Sequence, residues 1–136
     1  MTAVDSLKER IKKHEGKVRK PYLDSVGVLT VGYGRNLEAN PLSDDEIDLM
    51  FENDFRRALD GAEGFFCYSQ LNDTRRGVLI EMVFQMGVNG VCKFKRFLDA
   101  AMAEDWQKAH DEMLDSKWAK QVPSRAKELA EVFLNG

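Results

Sequence analysis

The sequence predicts an α+β fold in which a long helix joins a small antiparallel β lobe to a helical lobe. Strand formers gather in one stretch, at Tyr22, Val26, Val28, Leu29, Val31 and Tyr33. Apolar residues at helical spacing follow it: Ile47, Met50, Phe51, Phe55, Ala58 and Leu59, then Val78, Leu79, Met82, Val83 and Met86. Strands and helices are therefore segregated along the chain, not alternated, which separates α+β from α/β. At 136 residues the chain is long enough for one compact domain, 1–136, that needs neither disulfide nor metal for stability.

The elements follow from local signals. Ser6-Leu7-Lys8-Glu9 reads as a capping box and starts a short, mostly polar helix that ends near Gly16. Asp24-Ser25-Val26-Gly27 is a turn between two strands. Pro21 has no N–H to give a neighbour, so its strand belongs at an edge. A third short strand is expected near Asn36. Ser43-Asp44-Asp45-Glu46 is a stronger capping box, with acids where the positive end of a helix dipole favours them. Its helix should run over about 44–60 and stop near Gly61. Asn72 caps the next helix, which stops at Gly87. Further helices are expected at about 94–103, 104–115 and 124–134, with Ser124 capping the last behind Pro123. This gives a small lobe at about 15–43, a connecting helix at about 44–60, and a helical lobe at about 62–136 that takes in the N-terminal helix.

The formal net charge of −3 does not suit a polyanion binder, and no nucleic-acid partner is expected. The charge is uneven, however: residues 8–20 carry seven Lys or Arg against two Glu. This run reads either as a solvated face or as a local positive field for an anionic polymer. Cys67 and Cys92 have no metal-ligand spacing and fit two free thiols, with a disulfide the lesser reading. No stretch has the length of a signal peptide's apolar region or of a membrane span, so neither secretion by a leader nor membrane insertion is expected. Synthesis and storage in the cytoplasm follow as an expectation.

Several chemistries lack their motifs. The only histidines are His14 and His110, and H-E-x-x-H, G-x-S-x-G and the P-loop pattern are all missing. Carboxylate chemistry remains. Glu15 stands at the end of the first helix, Asp24 in the hairpin turn and Thr30 in the returning strand. A Glu and an Asp facing each other across a cleft can serve glycoside hydrolysis, one as acid and one handling water or the sugar cation. Spacing alone says little, because a chain with 23 acids always holds some Glu and Asp at this separation.

Three longer stretches say more. They are HEG followed after five residues by YLDSVGVLTVGYG (14–34), RRGVLIEMVFQMGVNGVCKF (75–94) and SKWAKQVPSRAKEL (116–129). Together they resemble the phage lysozymes of glycoside hydrolase family 24, the T-even type, in the family's order and over nearly the whole chain. The resemblance implies a lysozyme-like fold and an endolysin that hydrolyses the β-1,4 bond between N-acetylmuramic acid and N-acetylglucosamine in bacterial peptidoglycan. Glu15 would be the general acid, with Asp24 and Thr30 positioning the attacking water. Asn36, Phe84, Gln85 and Arg125 would contact substrate, Arg125 close to Glu15. Phe84 and Met86 read equally as plain core on an apolar helix, and Arg125 as a structural residue. No metal and no organic cofactor is implied. The enzyme would be a monomer, stored in the host cytoplasm and released through a phage holin to the wall.

The chain also departs from the family pattern. The segment between the GYG strand and the long helix is short, only Asn36 to Leu42. Arg35 stands where many relatives have His, and is expected to pair with Asp54. Phe97 and Glu112 stand where small polar residues line the groove in relatives. Two rival readings remain, a lytic transglycosylase and a catalytically silent wall-binding protein. Retention of Asp24 and Thr30 beside Glu15 argues against both.

Overall fold

The computed structural model describes all residues, 1–136. Its order is α1 (Ala3–Glu15), β1 (Val18–Leu23), β2 (Leu29–Gly32), β3 (Arg35–Asn36), α2 (Asp44–Glu63), a 3₁₀ turn (Phe66–Gln70), α3 (Asp73–Cys92), α4 (Lys95–Met102), α5 (Trp106–Leu114), α6 (Lys117–Gln121) and α7 (Pro123–Asn135). This is the expected α+β class. The chain forms two compact units, Met1–Leu49 and Met50–Gly136, divided within α2.

In the first unit, α1 starts earlier than the Ser6 capping box implied. Thr2 is the cap: its hydroxyl accepts from Asp5 N at 3.1 Å, and the Asp5 carboxylate accepts from Thr2 N at 3.1 Å. Ser6 N already donates to Thr2 O, so Ser6 lies inside the first helical hydrogen bond. The reciprocal Thr2–Asp5 pair satisfies two backbone donors at once, which extends the helix by a turn. Gly16, at φ 75°, closes α1 with its N–H on Lys12 O. This left-handed value is one that glycine adopts without steric cost.

The sheet is antiparallel in the order β1-β2-β3, with Thr30 of the central strand opposite Tyr22 on one side and Asn36 on the other. β1 is an edge strand, as Pro21 requires, and its pairing is irregular between Val18 and Tyr22. No apolar side chain of this unit is fully buried; Thr30, at 5% exposure, is its one buried residue.

The second unit holds the apolar core, which includes Leu79, Met82, Phe97, Met113, Trp118 and Phe133. Phe133 stands at its centre, 5.2 Å from the Phe97 ring and edge-on to Trp106 at 5.8 Å. The buried Arg75 guanidinium lies 3.9 Å from the Trp106 ring centre and donates to Phe133 O at 2.7 Å and Leu134 O at 3.0 Å. Those carbonyls belong to the last turn of α7, where no further turn supplies donors.

Gly61 does not stop α2, which continues to Glu63. A Cβ at Gly61 would lie 3.1 Å from Val83 Cγ1 and closer still to Val88 Cγ2, so this glycine serves the close approach of α2 to α3. Asn72 caps α3 as expected, accepting from Arg75 N at 2.9 Å. Gly87, at φ 74° and ψ 169°, breaks α3 where a stop was expected, and helical structure resumes to Cys92. The 3₁₀ turn and α6, of five residues each, were not anticipated. α7 opens at Pro123 with no side-chain cap, so Ser124 lies inside its first turn and is not the cap. Proline at the first helical position presets φ and does without a cap. No helix of the chain is long and apolar enough to cross a membrane.

Candidate functional site

Glu15 ends α1, Asp24 stands in the turn between β1 and β2, and Thr30 lies in β2, all in the first unit. Glu15 is the last residue of α1, exposed, and in no ion pair within 4 Å. Its carboxyl lies directly over Gly34: a Cβ built there would sit 3.1 Å from the carboxyl carbon and would clash with Oε2. Lys12, one turn earlier, places its ammonium 5.7 Å from the Tyr33 ring centre. These two contacts seat the end of α1 against the loop after β2.

Asp24 folds its own turn. Its Oδ1 accepts from Val26 N and Val28 N, both at 2.9 Å, while its backbone N–H donates to Val28 O at 2.9 Å. Short acidic side chains make such bonds readily, which is why they favour turns. Thr30 Oγ1 donates to Val28 O at 2.9 Å. Val28 is thus held by Asp24 through its N–H and by Thr30 through its carbonyl, and these two side chains take fixed positions around one peptide. Asp24 Oδ2 has no hydrogen-bond partner in the chain.

Asn36, opposite Thr30 in the ladder, uses its Oδ1 to accept from Glu38 N and Ala39 N at 3.0 Å each, which organises the bend after β3. Its side-chain NH₂ stays free.

Arg35 corrects a sequence expectation. Its partner is Glu46, not Asp54: Nη1 reaches Glu46 Oε1 at 2.7 Å and Nη2 reaches Oε2 at 2.6 Å. Asp54 pairs instead with Arg57 at 3.5 Å on its own helix. Glu46 also closes the Ser43 capping box, accepting from Ser43 N at 2.9 Å. The Arg35 guanidinium first, and then Ser43, hold the Glu46 carboxyl at about 2, well below the usual carboxylate range. The bidentate pair ties β3 to the first turn of α2.

The other candidates lie in the helical unit. Phe84 is 41% exposed, so the reading of it as plain core fails. Its ring packs 5.7 Å from Phe51, and with Val83, Gly87, Val88, Asp54 and Arg57 it lines a 380 Å³ cavity. Gln85 Oε1 accepts from Trp118 Nε1 at 2.8 Å, which fixes the direction of its amide. Arg125 Nε donates to Glu81 Oε2 at 3.0 Å, an ion pair between α7 and α3. Phe97, expected along the groove, is 1% exposed and belongs to the core, whereas Glu112 is half-buried and lines a 570 Å³ cavity of the helical unit. Sequence reasoning missed the partner residues Glu81 and Trp118, which act from 44 and 33 residues away. No group of three or more His, Cys, Asp or Glu comes together as metal ligands, and Cys67 and Cys92 are free thiols.

Seven helices with a small three-stranded antiparallel sheet are consistent with the lysozyme-like α+β fold. Residues 12–131 match the phage lysozyme family, and the chain belongs to that family. It is a glycoside hydrolase of the lysozyme type, and the substrate class that the family implies is peptidoglycan. The chain is similar to probable T4-type lysozyme 2 of Dictyostelium discoideum, with 29% identity over 98% of this chain and 96% of the relative. Probable T4-type lysozyme 1 of the same organism matches with the same identity and coverage. The pre-baseplate central spike protein Gp5 of Enterobacteria phage T4 is 28% identical over 96% of this chain, which spans 28% of that longer protein.

Proposed function

We propose that this lysozyme hydrolyses the β-1,4 bond between N-acetylmuramic acid and N-acetylglucosamine by single displacement, with Glu15 as general acid and Asp24 and Thr30 as holders of the attacking water. The observation that carries the reading is the double hold on Val28. The Thr30 hydroxyl spends its proton on Val28 O, so it can only accept from a water. Asp24 spends Oδ1 on two amides and keeps Oδ2 to accept another hydrogen bond. A water donating one hydrogen to each would turn its lone pair away from both and toward the anomeric carbon. Glu15, held over Gly34, protonates the departing oxygen as the glycosidic bond breaks. The water adds to the opposite face, and its proton passes to Asp24. The expected separation of the two carboxyls is that of an inverting enzyme, ~6.5–9.5 Å, and the β linkage yields an α product. Asn36, Phe84, Gln85 and Arg125 contact the glycan.

The biological setting proposed is host-cell lysis by a monomer stored in the host cytoplasm and released to the wall through a phage holin.

Glu15→Gln tests the core of the proposal, because the amide nearly matches the acid in shape but has no acidic proton to donate. Turbidity clearance of permeabilised Gram-negative cells should fall by about 10²–10⁴-fold, with the melting temperature unchanged. Activity within about tenfold of wild type, a loss of only ~1.4 kcal/mol in barrier, rules Glu15 out as the acid. Proton NMR of a freshly cut oligosaccharide tests the stereochemistry. A β anomer appearing first would overturn the water-holding role.

A further inference from the structure

Helix α1 has no buried residue, yet three of its side chains are large and apolar. Val4, Leu7 and Ile11 are 59%, 43% and 48% exposed. At 3.6 residues per turn they share one side of the helix. Lys8 borders that stripe on one edge and Arg10 on the other. Asp5 and Glu9 lie toward the far side, and both are engaged: Asp5 closes the Thr2 cap and Glu9 pairs with Lys12 at 3.5 Å. Lys8, Arg10 and Lys13 are exposed and in no ion pair within 4 Å. The same holds for Lys17, Arg19 and Lys20, which carry the positive charge past Gly16 into the edge strand β1. The first 23 residues thus hold seven Lys or Arg against three acids, in a chain whose net charge is −3.

The fold accounts for part of this charge. Lys12 and Lys13 stand in the last turn of α1, where the helix dipole favours cations, and Lys12 also lies over the Tyr33 ring. Neither reason reaches Lys8 and Arg10 in mid-helix, nor the apolar stripe between them. A solvated face has no use for Val4, Leu7 and Ile11. A soluble polyanion would meet the cations and leave those three side chains in water. A bilayer with anionic headgroups satisfies both halves of the pattern. The apolar side chains enter the boundary between headgroups and acyl chains, and the flanking cations extend their charges to the phosphates above. Thirteen residues are too few to cross a hydrocarbon core of ~30 Å, so the helix lies on the surface and not across it.

We infer that α1 docks on an anionic lipid surface, with Val4, Leu7 and Ile11 inserted and Lys8 and Arg10 at the headgroups on either side. Lys17, Arg19 and Lys20 add attraction at longer range, which salt screens. The inference does not draw on the proposed hydrolytic mechanism, since it uses neither Asp24 nor Thr30 and asks nothing of the Glu15 proton.

The test is co-sedimentation of the full chain with vesicles of equal parts phosphatidylglycerol and phosphatidylcholine, and with vesicles of phosphatidylcholine alone. The protein should bind the first at 50 mM salt, lose most of that binding at 500 mM, and bind the second at least tenfold more weakly. Each Lys or Arg near an anionic surface is worth about fivefold in partitioning, so Lys8→Gln with Arg10→Gln should weaken binding about 25-fold. Leu7→Gln with Ile11→Gln should weaken it at least tenfold. Insertion is read separately from Leu7→Trp, whose emission should move to the blue on the anionic vesicles. The wild-type chain, with Trp106 and Trp118 alone, should show no such move. Hydrolysis of purified, lipid-free cell wall by the Lys8→Gln, Arg10→Gln variant should stay within about twofold of wild type. Failure to bind the anionic vesicles, equal binding to both kinds, or no blue shift from Leu7→Trp overturns the inference. Loss of binding with the charge pair but not with the apolar pair would mark a surface for polyanions in general, and overturns it too. A fall in wall hydrolysis equal to the fall in vesicle binding would assign the cations to the wall and likewise overturn it.

Discussion

The two units of this chain are built on different physics. The helical unit is held by burial: every fully buried apolar side chain lies between Ala58 and Phe133. The sheet-bearing unit has no such side chain and is ordered by hydrogen bonds between side chain and backbone, at Thr2, Asp24, Thr30, Asn36 and Ser43. Burial acts over long sequence separations and tolerates small adjustments. Polar turns act within a few residues and fix direction closely. A group that must aim a carboxyl or a hydroxyl gains more from the second kind, and a scaffold gains more from the first.

The contrast can be broken from either side. Phe133→Ala removes the ring at the centre of the helical core and should cost ~3–5 kcal/mol, read as a lowered denaturant midpoint. The rate per folded molecule should stay near wild type under conditions where the variant remains folded. Gly34→Ala should do the reverse. Its φ of 68° disfavours any side chain, and the new methyl would displace the Glu15 carboxyl. The backbone strain amounts to ~1–2 kcal/mol. Lysis should fall much further than thermal unfolding implies. A variant that keeps full activity would show that Glu15 is not positioned by this contact.

Glu46→Gln sharpens the comparison, because it titrates one polar tie. The Glu46 carboxyl is depressed from 4.5 to about 2 in the folded chain. Its contribution is therefore complete above the unfolded value and is lost as pH falls from about 4.5 toward 2. Urea unfolding at a series of pH values should show a smaller acid-dependent loss of stability in the variant than in wild type within that window. Identical profiles would mean that the Arg35–Glu46 pair does not stabilise the fold.

The same division explains what the sequence disclosed. The Ser43 capping box, the Asn72 cap, the Asp24 turn and the Pro21 edge strand are short-range devices whose parts lie within a few residues, and each could be read directly. Ser6 reads as the start of α1, and the reciprocal Thr2–Asp5 pair moves that start a turn earlier. Gly61 carries two possible meanings, helix stop or close approach, and only Val83 and Val88, brought in by α3, choose the second. Arg35 met the wrong partner because Asp54 and Glu46 lie about two turns apart on one helix. Only the three-dimensional placement of Arg35, bidentate on Glu46 in the first turn of α2, selects between them. At the candidate site, Asp24 and Thr30 were readable as a pair on a hairpin. The Gln85–Trp118 and Arg125–Glu81 contacts were not, because both depend on how separate helices pack.

The Arg75 clamp sets an order of events during synthesis. Its guanidinium waits for two carbonyls of the final helix, 58 and 59 residues further along the chain. Until those residues emerge from the ribosome, a charged group destined for the interior has no acceptor, and the Phe133 ring that fills the centre is missing too. Burying the charge early would cost several kcal/mol. Closure of the core around Phe133 and pairing of the Arg75 guanidinium therefore depend on the same helix, α7. α7 thus acts as the latch of the helical unit, supplying at once the acceptors of Arg75 and the ring that packs on Phe97.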